Sequence, residues 1–154
     1  MKQREMKFRG KRIDNGKWVY GYYFVEAIDD GEGRFDHLSF IKEKYGDHYC
    51  DYEVDTKTVG QHTGLKDKKG KEIYEGDIVE HSEYAYSPFE NSISVVEWFD
   101  ENYCYIFKKK HIKTREDDPQ VYDTENLSNA GGGAGQKFYP KIIGNIYENK
   151  DLLK

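Results

Sequence analysis

Glu72-Ile73-Tyr74-Glu75-Gly76-Asp77-Ile78-Val79-Glu80 is the stretch on which the fold turns. Two apolar pairs, Ile73-Tyr74 and Ile78-Val79, flank Glu75-Gly76-Asp77. Glycine adopts backbone conformations that other residues avoid, so the pattern predicts two short strands meeting at a sharp corner on Gly76. The side chain of Asp77 suits a structural role there, accepting hydrogen bonds from nearby backbone amides. Upstream, Gly64-Leu65-Lys66-Asp67-Lys68-Lys69-Gly70-Lys71 reads as a tight polar turn after an extended piece at 56–63.

Downstream, a meander is expected. Strands at Asp77–Tyr84, Ile93–Phe99 and Tyr103–Lys108 are separated by Ser87-Pro88-Phe89-Glu90-Asn91 and Asp100-Glu101-Asn102. A last strand, Phe138–Tyr147, carries Gly144-Asn145 inside it, and residues 113–136 read as a mobile loop around Gly131-Gly132-Gly133-Ala134-Gly135. At the N-terminal end, Lys7–Val25 reads as a hairpin, because Asn15-Gly16 between strand-like runs favours a type I′ turn. Gly21 interrupts its aromatic second arm, which marks a bulge or the close approach of another backbone. Residues 29–36 read as a polar loop, and 37–55 hold one or two short strands. A helix has one weak candidate, Asp123–Asn129.

The sum is six to nine short strands: a mainly β chain, a small antiparallel barrel or sandwich with an added N-terminal β-hairpin and little helix. The expected organisation is one domain over 1–154, with the hairpin and a variable region at 1–55 and a barrel-like core at 56–150. With 154 residues the chain can bury a proper core, although only 36% of it is hydrophobic. The 14 Tyr, 8 Phe and 2 Trp compensate, since each aromatic buries a large area. No apolar run reaches the roughly 20 residues of a membrane helix. No apolar stretch follows the basic start, so a signal peptide is not expected. Two cysteines, Cys50 and Cys104, fit free thiols in a reducing cytoplasm, with a disulfide between them left open.

Charge is segregated along the chain. Net charge is −5, but residues 1–12, 66–71 and 108–115 are basic, and residues 72–107 hold nine acids and no Lys or Arg. Such blocks either neutralise one another in the fold or create a basic face.

The run Val59–Val79 resembles the signature of the YopX family of phage and prophage proteins. So do Lys7-Phe8-Arg9, Trp18-Val19-Tyr20-Gly21-Tyr22 and the closing Ile143-Gly144-Asn145-Ile146-Tyr147-Glu148-Asn149. The resemblance spans nearly the whole chain, with variable parts at 29–50 and 113–136. It implies a mostly β protein encoded by a tailed phage or prophage, and it supplies no catalytic residues. Within the signature, Gly64, Gly70, Gly76 and Asp77 read as structural positions.

For chemistry the sequence offers little. It has no G-x-S-x-G, HExxH or Walker-type loop. His48 with Cys50, and His81 with Glu83, have strand spacing for sharing a face, but two unlinked pairs fall short of a metal site. No cofactor, metal or enzymatic activity is expected. Binding is the expected mode: an accessory protein contacting an unknown protein partner or a second copy of itself. The alternative is nucleic-acid binding through segments 1–12, 66–71 and 108–115, with Lys108, Lys109, Lys110, Lys113 and Arg115 as phosphate contacts. Exposed Tyr or Phe nearby would stack on unpaired bases. An enzyme ranks third.

Overall fold

The computed structural model describes residues 6–82, 91–99, 104–109, 121–123 and 140–154. These residues are mainly β, paired antiparallel throughout, with two short 3-10 turns and no α-helix among them. The chain forms two compact units, Met1–His62 and Thr63–Lys154.

In the first unit, β1 (Phe8–Lys11) pairs with β2 (Trp18–Asp29), β2 with β3 (Phe35–Tyr45), and β3 with β4 (His48–Glu53). A bridge between Arg12 and Val54 then returns the end of β4 to the end of β1. Asp55 N–H donates to the Lys11 carbonyl at 2.8 Å, and Ile13 N–H to the Glu53 carbonyl at 3.1 Å. The four strands pack around Val19, Ile41 and Val54, with Phe8, Tyr23, Tyr52 and Val59 against them. On its other side β1 pairs with the start of β5 (Gly60–Lys66), Phe8 opposite Gln61 and Arg9 opposite Gly60.

Gly21 sits where β2 changes partner, from β1 at Gly21 to β3 at Tyr22. A Cβ there would stand 2.0 Å from the Lys42 carbonyl oxygen. Close backbone approach, one of the two readings of this strand glycine, is what the packing requires.

Two local expectations are corrected. The β1–β2 connection is not a two-residue turn at Asn15-Gly16. Arg12 N–H donates to the Lys17 carbonyl and Gly16 N–H to the Arg12 carbonyl, both at 2.9 Å, so four residues lie in the loop. Asn15 supports it by accepting Lys17 N–H on its side chain at 2.9 Å. Thr56–Thr58 is a 3-10 turn rather than extended chain, because the Asp55 carboxylate accepts Lys57 N–H and caps it. The upper count expected for residues 37–55 is met: β3, which begins earlier at Phe35, and β4 form a hairpin joined at Gly46-Asp47.

In the second unit, β5 continues beside β6 (Glu72–Tyr74). The turn between them is built on Asp67, whose Oδ1 accepts Lys69 N–H and Lys71 N–H at 2.8 Å each, with Gly70 N–H bonded to the Asp67 carbonyl. Gly64 lies inside β5, at φ +85°. A separate five-stranded sheet has the order β10-β9-β8-β7-β11, formed by β7 (Asp77–Ser82), β8 (Asn91–Phe99), β9 (Cys104–Lys109), β10 (Val121–Asp123) and β11 (Lys141–Asn145). The expected meander is β7-β8-β9. Its neighbour β10 falls inside the span read as a loop; the rest of 113–136 lies outside the described residues, as does most of the helix candidate. Ile73, Val79 and Val96 form the core of this unit, with Leu65 and Ile142 against them.

The corner at Gly76 joins the signature to the chain end. Gly76, at φ +81°, donates its N–H to the Val96 carbonyl and accepts Ile146 N–H on its own carbonyl, both at 2.9 Å. Asp77 is fully buried and accepts Tyr74 N–H at 2.9 Å. The closing run is a turn in which the Asn145 side chain accepts Tyr147 and Glu148 N–H at 3.0 Å each.

Candidate functional site

In a strand, alternate residues share a face. Along β2 the residues Val19 and Tyr23 turn into the core of the first unit. Trp18, Tyr20, Tyr22 and Phe24 therefore occupy the opposite face, an unbroken aromatic row. The strand register decides what stands beside them. Lys11 lies opposite Trp18 and Arg9 opposite Tyr20 on one flank; Lys42 lies opposite Tyr22 and Phe40 opposite Phe24 on the other. One strand further, Asp51 faces Lys42 and Tyr49 faces Lys44.

Cations and rings are in direct contact on this face. The Arg9 guanidinium lies 4.8 Å from the centroid of the Trp18 ring, with the Lys11 ammonium 6.0 Å from it. The Lys42 ammonium sits 5.3 Å from the Phe24 ring, which stacks on Phe40 at 5.4 Å. These are separations at which a cation is drawn to the negative face of an aromatic ring. Lys42 also meets the Asp51 carboxylate at 3.4 Å. At the end of this face Lys7, Tyr20, Tyr22, Lys42, Lys44 and Tyr49 line a groove of about 400 Å³, with Glu43 at its rim.

The first unit also projects an arm. β4 runs beside β3 only from Phe40 onward, and β1 leaves β2 at Gly21. From Glu26 opposite Leu38 to Asp29 opposite Phe35, the pair β2–β3 has no third strand among the described residues. Its tip is tightly tied. Asp30 Oδ1 accepts Glu32 N–H at 2.8 Å and Arg34 N–H at 3.1 Å, and Asp29 accepts Gly31 N–H at 2.9 Å. The Arg34 guanidinium donates to Asp30 at 2.8 Å and to Glu32 at 2.5 Å. That hydrogen bond to Arg34 holds the Asp30 carboxyl below the ordinary carboxylate range. On the arm and at its base Val25, Ile28 and Phe35 are exposed, Phe35 by 58%.

The residues singled out as phosphate contacts fall elsewhere. Lys108 and Lys109 lie on β9, opposite Val95 and Ser94 of β8, in the second unit. Lys110, Lys113 and Arg115 are outside the described residues. Segment 66–71 is the Asp67 turn, also in the second unit, whereas Arg9 and Lys11 of segment 1–12 belong to the aromatic face of the first. Of the metal pairs, His48 and Cys50 share a face of β4, Cys50 as a free thiol; Glu83 lies outside the described residues. No group of three His, Cys, Asp or Glu side chains suited to a metal occurs among the described residues. None of their helices is long and apolar enough to cross a membrane.

Three segments of the resemblance are now placed: the first two strands, the corner at Gly76, and the Asn145 turn hydrogen-bonded to that corner. The family model for YopX protein matches residues 7–154. The chain belongs to the YopX family. This YopX chain is also similar to the crystal structure of protein EF1440 from Enterococcus faecalis, at 22% identity and a TM-score of 0.47, over 97% of this chain and 98% of that one. No functionally curated protein matches the sequence.

The alternation Trp18-x-Tyr20-x-Tyr22-x-Phe24 was a visible signal for an aromatic face. Its cations come from β1 and β3, and no local motif announces them.

Proposed function

We propose that this YopX-family protein is a phage- or prophage-encoded accessory protein. It acts in the bacterial cytoplasm, without enzymatic activity, by contacting another protein. The phage origin rests on the family; the mode of action rests on the arm of β2 and β3. A two-stranded ribbon is marginally stable alone and gains most from packing against a further surface. Val25 and Phe35 on one face of the ribbon, and Ile28 on the other, supply apolar area for such packing, and the hydrogen-bonded tip holds the strand ends in a fixed geometry. Both strand edges of the arm offer backbone groups that a partner strand would pair with. Residues 26–38 carry five acids against one base, Arg34, which favours a partner with a basic surface over a second acidic arm.

A photo-crosslinking residue in place of Phe35 tests this in cells. One defined protein should be trapped from position 35 and none from Lys57, an exposed residue away from the arm. The double variant Ile28→Ser, Phe35→Ser should fold normally and lose that partner. Identical products from positions 35 and 57 would refute the reading, and a product of twice the chain mass would reassign the partner to a second copy.

A further inference from the structure

The aromatic face of the first unit is separate from the arm, and its chemistry is different. We propose that it binds single-stranded nucleic acid, with bases stacked on Tyr22 and Tyr49 and phosphates held by Lys42 and Lys44. Single-strand binders combine a cationic groove with rings on which successive bases stack, and stacking tolerates any base because each has a π-face. Every component is present here. Tyr22 and Tyr49 are 52% and 53% exposed, so their rings are accessible. Each has a lysine directly opposite it in the strand register, Lys42 beside Tyr22 and Lys44 beside Tyr49. Lys42 and Lys44 are alternate residues of β3, so they stand about 6.8 Å apart, a step on the scale of one nucleotide of an extended strand. The groove that Tyr22 and Tyr49 share with Lys7, Tyr20, Lys42 and Lys44 has a volume of about 400 Å³, within the ordinary range for ligand sites.

On the same face rings and cations are already in contact. Arg9 lies over Trp18, and Lys42 over Phe24, so ring faces and positive charges are held side by side before any ligand arrives. The carboxylates shape the affinity. Asp51 engages Lys42 at 3.4 Å and must yield it to a phosphate, and Glu43 stands at the groove rim. Binding is therefore salt-sensitive and of moderate strength. A protein partner is the poorer match for this groove, because lysine is depleted at protein interfaces. A duplex is also a poor match, since its bases are already stacked and unavailable to the rings.

The test is fluorescence anisotropy of the full chain with a short labelled oligothymidylate, an oligouridylate of equal length and a labelled duplex, at low and near-physiological salt. The single strands should bind more tightly than the duplex and weaken as salt rises. The variant Tyr22→Ser, Tyr49→Ser should lose at least about tenfold in affinity, from the measured worth of base stacking. Lys44→Glu should weaken binding as well. Asp51→Asn should strengthen it several-fold, an effect that misfolding cannot imitate. Thermal melting of each variant checks the fold. The proposal is overturned by an absence of binding at low salt, by duplex binding as tight as single-strand binding, or by tyrosine variants that bind like the parent. A crosslinker at position 49 that captures protein and never oligonucleotide would overturn it too.

Discussion

The Asp77 carboxylate reaches back across Gly76 and accepts the backbone N–H of Tyr74, 2.9 Å away, in a position sealed from solvent. The bond fixes the angle between β6 and β7. Its neighbours Ile73, Tyr74, Ile78 and Val79 are all buried, so the corner is part of the core. An alanine at 77 would leave a buried donor without its acceptor and open a small void. Asp77→Ala should lower stability by about 2–3 kcal/mol. Urea unfolding reads this directly, and a loss below about 0.5 kcal/mol would mean that the Tyr74 amide finds another acceptor.

Gly21 and Gly16 are predicted to behave very differently when changed to alanine. At Gly21 the added Cβ meets a backbone oxygen at 2.0 Å, and a backbone atom in a paired strand cannot move aside cheaply. Gly21→Ala should cost about 3 kcal/mol, the upper end for overpacking. At Gly16 the Cβ meets nothing within 4 Å, and only the φ of +68° opposes it. That conformation costs an L-residue about 1–2 kcal/mol. Thermal melts of the two variants should therefore rank Gly21→Ala well below Gly16→Ala; the reverse order would contradict the close approach of β3 to β2 at Gly21.

The glycines also show what the sequence could and could not convey. Gly76 and Gly21 were legible because each does something only glycine allows, and the flanking β-branched and aromatic residues left no other element type. The arm was not. In Glu26-Ala27-Ile28-Asp29-Asp30-Gly31-Glu32-Gly33-Arg34-Phe35-Asp36-His37-Leu38 neither face is buried, so the alternation that betrays a strand is missing. Residues 29–36 read as a polar loop, although Asp29, Phe35 and Asp36 are strand and the two strands continue on either side. The Asn15-Gly16 signal misled for a related reason: it specifies a bend, while the length of the loop is set by which residues pair on either side.

The candidate sites divide in the same way. An aromatic row in β2 can be read from one strand, since period two needs no partner. Its basic partners depend on register with β1 and β3, which is a property of the folded sheet. Counting charge along the chain pointed to segment 1–12, which supplies Arg9 and Lys11 to this face, and equally to 66–71 and 108–115, which belong to the second unit.

Tyr45 offers a spectroscopic check on the first unit. Its hydroxyl donates to Glu43, and this bond, reinforced by the carboxylate's charge, pushes its pKa up to about 12 from 10.0. The neutral phenol is the form the fold prefers. Its contribution to stability is therefore complete below pH 10 and is lost as pH rises toward 12. Ultraviolet titration should show a late-ionising tyrosine that Glu43→Gln brings back toward the ordinary range. A titration unchanged by Glu43→Gln would remove the Glu43–Tyr45 bond from the account.

Asp30 gives the opposite sign at the arm tip. Arg34 and two backbone amides favour its charged form, so its pKa lies below 3.8 in the folded protein. A lowered carboxyl stabilises the tip at all pH values above that of the unfolded chain, and the stabilisation disappears as pH falls through the folded value. In Arg34→Ala the Asp30 resonance should titrate at higher pH, because the largest cause of the shift is gone. In the parent, the protection factors of the Glu32 and Arg34 amides, taken against the intrinsic exchange rate at each pH, should fall as the sample is acidified below about pH 4. If the tip is what presents Phe35, the crosslink from position 35 should weaken in Arg34→Ala even though Phe35 itself is untouched. An undiminished crosslink would show that the arm holds its shape without the Asp30–Arg34 pair, leaving β2–β3 pairing alone to position the exposed residues.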